Sequence, residues 1–152
     1  PDSGPDNPPG HAFSLAAWVR LDGPADGTVV DKADWAGGPT RGYVLRVVRG
    51  RVDFTVGGAD TWHTVAGGSK LPLGRWVHVA ATYDGRVGRV YVDGRPDATG
   101  ALPPMVPSGY PIRIGNGTFG EARARPLAGS LAAIGIFHRT LGESEVRALA
   151  AE

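Results

Sequence analysis

The chain has 152 residues, a formal net charge of +1 and no cysteine, which excludes disulfides and thiolate metal centres and suits one domain with its own core. All but Lys32 and Lys70 of its 16 basic residues are arginines scattered among acids, a distribution that argues against a nucleic-acid partner. No apolar run approaches the ~18 residues of a membrane span, and 24 glycines with 13 prolines spread along the chain suit many strands joined by many turns.

Residues 1–11, rich in proline and glycine, read as a linker leading into a domain over 12–152, a piece of a larger polypeptide whose targeting signal lies elsewhere. Phe13, Leu15, Ala17, Val19 and Leu21 then alternate with Ser14, Ala16, Trp18 and Arg20, the period of a strand. With Trp18 on the opposite face, both faces are expected to be covered. Asp22 to Gly27 is a turn cluster, Thr28 to Lys32 the next strand, and Asp34 to Gly42 a long glycine-rich loop. Tyr43 to Val48 and Val52 to Val56 alternate about an Arg49-Gly50 turn and predict a hairpin with one dry and one partly wet face. A short strand is expected at Trp62 to Val65.

The next segment is the most specific. Trp76 to Tyr83 and Val87 to Val92 flank Asp84-Gly85, and Asp93-Gly94 closes the second run, which together predict a hairpin followed by a second tight turn. Ala101 to Tyr110 holds Pro103, Pro104 and Pro107 and reads as a surface connection. Ile112 and Ile114 mark another strand, Thr118 to Pro126 a loop, and the apolar run Leu131 to His138 a strand buried on both faces. Val146, Leu149 and Ala150 share a helical face, with Gly142 at the N-cap and Glu145 at the third helical position, so a short terminal helix is expected on the sandwich edge.

Trp76-Val77-His78-Val79-Ala80-Ala81-Thr82-Tyr83-Asp84-Gly85 followed by Tyr91-Val92-Asp93-Gly94 resembles the signature of laminin-G-like jelly rolls in the concanavalin A-like lectin/glucanase superfamily. Phe13 to Val19, Val30-Asp31-Lys32 with Gly42 to Leu45, Pro111 to Gly115, Leu127 to Leu131 and Phe137 to Val146 resemble further landmarks of that family in their order. The resemblance implies an all-β fold, a two-sheet antiparallel sandwich with a short C-terminal helix, and a module that binds rather than catalyses. Where family members often carry an acidic pair this chain has Ala132-Ala133, and the usual serine N-cap is Gly142.

Superfamily glucanases alternate two glutamates and an aspartate on one strand, but here Glu121, Glu143, Glu145 and Glu152 fall in a loop or the terminal region, so glycosidase chemistry is not expected. Asp31, Asp34 and Asp60 offer oxygens for calcium in the manner of rim sites in some laminin-G domains; the plainer reading makes Asp31 a turn cap and the others solvated loop residues. For a sugar, aromatic faces and orienting polar groups are required. Trp35, next to Asp34, and Trp62, beside Asp60 and His63, are the candidate platforms; Tyr110 and Asn116 near loop ends are further candidates, and Arg41, Arg123 and Arg125 are available to an acidic sugar. Trp18, Trp76, His78 and Tyr83 are assigned to packing, turn geometry and hydrogen bonding. Two functions stay open: a carbohydrate-binding module of an exported or surface-displayed bacterial protein, acting on a glycan outside the cell, or an architectural or adhesion module that meets an extracellular protein.

Overall fold

The period-two patterns become strands because each buries one face of alternating side chains against a second sheet. The computed structural model describes residues 12–34, 40–116, 118–119, 123–124 and 126–152. In chain order the strands are β1 (Phe13–Leu21), β2 (Gly27–Asp34), β3 (Arg41–Val48), β4 (Arg51–Gly57), β5 (Trp62–Ala66), β6 (Trp76–Tyr83), β7 (Val87–Val92), β8 (Arg95–Ala101), β9 (Arg113–Ile114), β10 (Thr118–Phe119), β11 (Arg123–Ala124) and β12 (Gly129–Phe137), followed by helix α1 (Glu143–Ala150). One sheet runs β12-β1-β6-β7-β8 and the other β5-β4-β3-β2-β9, with β10 and β11 as a separate pair. Every ladder within the two large sheets is antiparallel, which is the sandwich the sequence implies.

The inward faces carry Phe13, Leu15, Val19, Val79 and Tyr83 from the first sheet against Tyr43, Leu45, Phe54 and Val56 from the second. At one end of this core Phe13 stacks on Tyr43 with ring centroids 4.5 Å apart and lies 5.5 Å from Tyr83. Aromatic pairs of this kind add about 0.5–1.5 kcal/mol each to the burial of their area. The proline-rich stretch after β8 closes that end. The Tyr83 hydroxyl donates to the Pro103 carbonyl at 2.5 Å and accepts the Met105 N–H at 2.9 Å, while Leu102 and Met105 join the core. Tyr83→Phe leaves a buried N–H and a carbonyl without that partner, and a loss of about 1–3 kcal/mol in urea unfolding is expected.

Several expectations are corrected. Ala101, expected to open the surface connection, instead ends β8 (Arg95–Ala101), which admits Pro96 because β8 is a sheet edge and its ladder shifts register between Val90 and Tyr91, where an absent N–H does least harm. The run Leu131 to His138 is not buried on both faces. β12 is the opposite edge, Ala132 and Ala133 are exposed, and Ala133 takes φ 50° where the pairing with β1 slips between Ala16 and Trp18. β2 extends to Asp34 and β3 begins at Arg41, which shortens the predicted loop, and the stretch 118–126 includes β10 and β11. Helix α1 lies on the outer face of the first sheet and not on its edge. Ala16 and Ala80 are small enough to admit it, and Leu141 and Val146 pack there with Tyr91. As expected, the Gly142 N–H donates to Glu145 Oε1 at 3.1 Å.

The same outer face holds Trp18, Arg20, Trp76 and His78. Trp76, assigned to packing, is 39% exposed, with the Arg20 guanidinium 5.4 Å from its ring centroid. His78 is 2% exposed, lies edge-on to Trp18 at 5.1 Å, and its Nδ1 has no hydrogen-bond partner among the described residues. Burial lowers its pKa below the ordinary 6.5, against the opposing pull of Asp93 and Glu152. The folded state therefore resists protonation that the unfolded chain accepts. His78 leaves stability intact above pH 6.5 and removes it as pH falls from there toward the depressed value. A His78→Gln variant is expected to flatten that limb in melting curves taken between pH 7 and 5; an unchanged slope contradicts the assignment.

Candidate functional site

The second sheet turns its outer face away from the core, and register fixes what stands on it. One row across β5, β4, β3, β2 and β9 reads Thr64, Thr55, Val44, Asp31 and Arg113; the next reads Ala66, Asp53, Arg46 and Thr28. Trp62 pairs with Gly57 and Ala33 with Gly42, so glycines occupy positions between them and the Trp62 ring packs against Ala33 and Val44. With strands ~4.8 Å apart, the face is roughly 19 Å wide, enough for an oligosaccharide.

This face is polar yet well shielded at its floor. Asp31 is fully buried and its Oδ1 accepts the Ala33 N–H at 2.9 Å. The hydroxyls of Thr55 and Thr64 lie 2.7 Å apart. Arg46 and Asp53 pair at 3.4 Å, but burial outweighs Arg46 and raises the Asp53 pKa above its ordinary value. The rims are accessible. Trp62 is half-buried and Thr64 exposed on one side, and on the other the Arg113 guanidinium lies 5.8 Å from the centroid of the exposed Tyr110 ring.

Lys32 positions that second rim. It is a lysine only 5% exposed, and its Nζ donates to the carbonyls of Ser108 at 2.7 Å and Tyr110 at 2.6 Å. The Ser108 hydroxyl in turn accepts the Tyr110 N–H at 3.0 Å, so the aromatic side chain springs from a fixed backbone.

At the end of the sheet beside Trp62 stand Asp60 and Arg41, both exposed. Asp60 Oδ1 contacts His63 Nε2 at 2.9 Å, and that bond, with the Thr61 N–H, lowers the Asp60 pKa. A Cβ on Gly57 would meet the Arg41 nitrogen at 2.5 Å, which places the start of β3 hard against the residue that pairs with Trp62. The structure thus gathers Trp62, Asp60 and Arg41 at one end and sets Tyr110 across the sheet from them. Asn116, exposed, lies beyond β9 at the far end, where the neighbouring Gly115 N–H donates to Val29. Trp35 and Arg125 fall outside the described residues; Asp34 and Arg123 are described in backbone only, Asp34 pairing with Arg41 in the β2–β3 ladder. Arg113 and the Arg46–Asp53 pair were not among the sequence candidates, although their period-two spacing opposite the core residues is their signal.

Of the aspartates considered for calcium, Asp34 is described in backbone only. Among the described residues no three His, Asp or Glu side chains converge, Asp31 is engaged with Ala33 inside β2, and Asp60 is engaged with His63. Among the described residues no two glutamates form a catalytic pair: Glu145 is held down to about 2 by Arg139 and the Gly142 N–H, and Glu143 pairs with Arg147 at 2.8 Å, both on the opposite sheet's helix. No helix among the described residues is long and apolar enough to cross a membrane.

Comparison with solved structures gives the CBM40 of a Ruminococcus gnavus IT-sialidase bound to α2,3-sialyllactose, at TM-score 0.76 and 14% identity over 91% of this chain and 82% of that one. The binding domain of botulinum neurotoxin DC in complex with SialylT is similar at TM-score 0.66 and 13% identity, over 92% of this chain and 35% of the other. A heptameric SAP-like pentraxin from Limulus polyphemus is similar at TM-score 0.64 and 18% identity, over 91% and 69%. No curated protein sequence matches the chain. A laminin G family profile does match, over residues 2–147, and the chain belongs to the concanavalin A-like lectin/glucanases superfamily.

Proposed function

We propose that this domain is a non-catalytic glycan-binding module that seats a sugar on the outer face of the β5-β4-β3-β2-β9 sheet, as part of a larger protein working outside the cell or at its surface. The observation that carries the reading is the placing of two accessible aromatic rims, Trp62 beside the exposed Thr64 and Tyr110–Arg113, on opposite sides of one sheet face. A pyranose has an apolar face for an indole and a rim of hydroxyls for arginine and threonine, so both halves of its surface find partners here. The sialyllactose and SialylT named with two similar structures support the same ligand class. The face's described carboxylates, Asp31 and Asp53, are engaged with Ala33 and Arg46, which supports binding over hydrolysis.

A glycan array probed with the purified domain tests the proposal. Retention of at least one glycan class, lost on Arg113→Ala, is the expected result; an array without any hit overturns it. A protein-interaction role is favoured by one observation, the exposed Trp76 beneath Arg20 on the other sheet. Pull-down of a protein through that face, with no glycan bound, selects it.

A further inference from the structure

At the end of the sandwich away from Trp62, the turn after β1, the β3–β4 turn and the connecting stretch 70–73 enclose a cavity of about 270 Å³. Its wall is apolar: Leu21, Val47 and Leu71 are buried core residues, and Leu73, 53% exposed, stands at the opening. Backbone hydrogen bonds fix that wall, from Leu71 N–H to the Gly50 carbonyl at 2.7 Å and from Gly74 N–H to the Leu21 carbonyl at 2.8 Å. The cavity is therefore built by the fold and does not depend on one side chain's rotamer.

Two cations stand at its mouth. Arg49 and Gly50 have φ of 53° and 78°, the left-handed pair of a type I′ turn, whose first position normally takes Asn, Asp or Gly. An arginine there is a conformational anomaly, held by its N–H donating to Asp26 Oδ1 at 2.8 Å. A Cβ on Gly50 would meet Lys70 Cγ at 3.0 Å, so the stem of Lys70 lies across the same turn. Among the described residues neither Arg49 nor Lys70 forms an ion pair. Asp26 offsets one of these two charges, which leaves the mouth positive beside an apolar interior.

We infer that this cavity binds a small apolar carboxylate, with one aromatic ring or a short acyl chain against Leu21, Val47 and Leu71 and the carboxylate between Arg49 and Lys70. The volume lies below the ~300–1,000 Å³ of sites for drug-sized ligands, which sets the ligand's scale. An anion engages both cations, an apolar body covers the leucines, and neither part alone satisfies the site. The chemistry is shared by a free acid and by the C-terminal residue of a peptide, and it is separate from glycan binding on the outer sheet face.

Backbone-amide NMR titration tests it with two anionic probes, 4-phenylbutyrate and acetyl-Gly-Gly-Phe, and their neutral counterparts, 4-phenylbutanol and the peptide amide. Saturable shifts at Leu21, Leu71 and Leu73 with an anionic probe are expected, weakened at least tenfold for its neutral counterpart and in Arg49→Gly/Lys70→Gln. The stronger anionic probe identifies the source. Glycine suits the left-handed position, so Arg49→Gly keeps the turn, and Trp62→Ala is expected to leave these shifts unchanged. Absence of saturable shifts at those amides with both anions, or equal affinity for charged and neutral probes, overturns the inference.

Discussion

Gly42→Ala is expected to cost about 2–5 kcal/mol and to leave the domain largely unfolded in mild denaturant. Gly42 has φ +88°, and a Cβ there would stand 1.8 Å from the Lys32 carbonyl oxygen and 2.8 Å from Ser108 Cβ. The left-handed conformation alone costs an L-residue about 1–2 kcal/mol, and overpacking commonly adds ~1–3 kcal/mol. Relief by local movement is obstructed, because the Gly42 N–H donates to Val106 at 2.7 Å and the Val106 N–H donates to Gly57 at 2.9 Å, so β3, β4 and the proline-rich closure meet at this residue. Against a total stability of roughly 5–15 kcal/mol, that loss is a large share. Gly109→Ala is the control: nothing lies within 4 Å of its Cβ position, and a change within about 0.5 kcal/mol is expected. Urea midpoints of the two variants, measured side by side, decide the matter.

Trp62→Ala is expected to weaken the proposed glycan binding by roughly thirtyfold or more, the equivalent of about 2 kcal/mol for losing an aromatic anchor. The ring packs on Ala33 and Val44, and its register partner Gly57 has no side chain to displace it. Part of the ring is already buried, so the same change should also lower stability by about 1–2 kcal/mol. Trp62→Phe separates the effects, keeping a platform and most of the packing. Calorimetric titration with the glycan found on the array, at a temperature where both variants are folded, reads the binding effect alone.

The parts of the fold that were legible in the sequence are those where one local rule decides. β1 alternates cleanly because its odd residues meet the opposite sheet, and α1 is announced by Gly142 and Glu145. The strands that escaped are ones whose environment is set by distant chain. β8 carries Arg95 and Pro96, tolerated because among the described residues no strand pairs on its far side, and β12 is largely apolar yet exposes Ala132 and Ala133 because it too is an edge. Lys32, read as an ordinary strand residue, is buried because the carbonyls of Ser108 and Tyr110, more than seventy positions away, receive its ammonium.

Of the residues in the proposed site, Trp62, Asp60, Arg41 and Tyr110 are singled out in the sequence as aromatic or polar residues at or beside loops, where side chains are free of core duty. Arg113 is not. Its meaning comes from pairing with Asp31 and from the Tyr110 ring beside it, and both are facts of register and tertiary contact. Trp76 was misassigned for the converse reason: its place in a strand landmark suggested packing, while the sheet face it occupies lies beyond the part α1 covers.

Amide chemical-shift mapping with a bound glycan tests most directly the proposal that the outer side of β5-β4-β3-β2-β9 receives it. The largest shifts are expected on Trp62, Thr64, Thr55 and Arg113, and they are expected to vanish in Trp62→Ala. Shifts centred on Trp18, Trp76 and His78 of the opposite sheet, or equally strong mapping in the Trp62→Ala chain, contradict it.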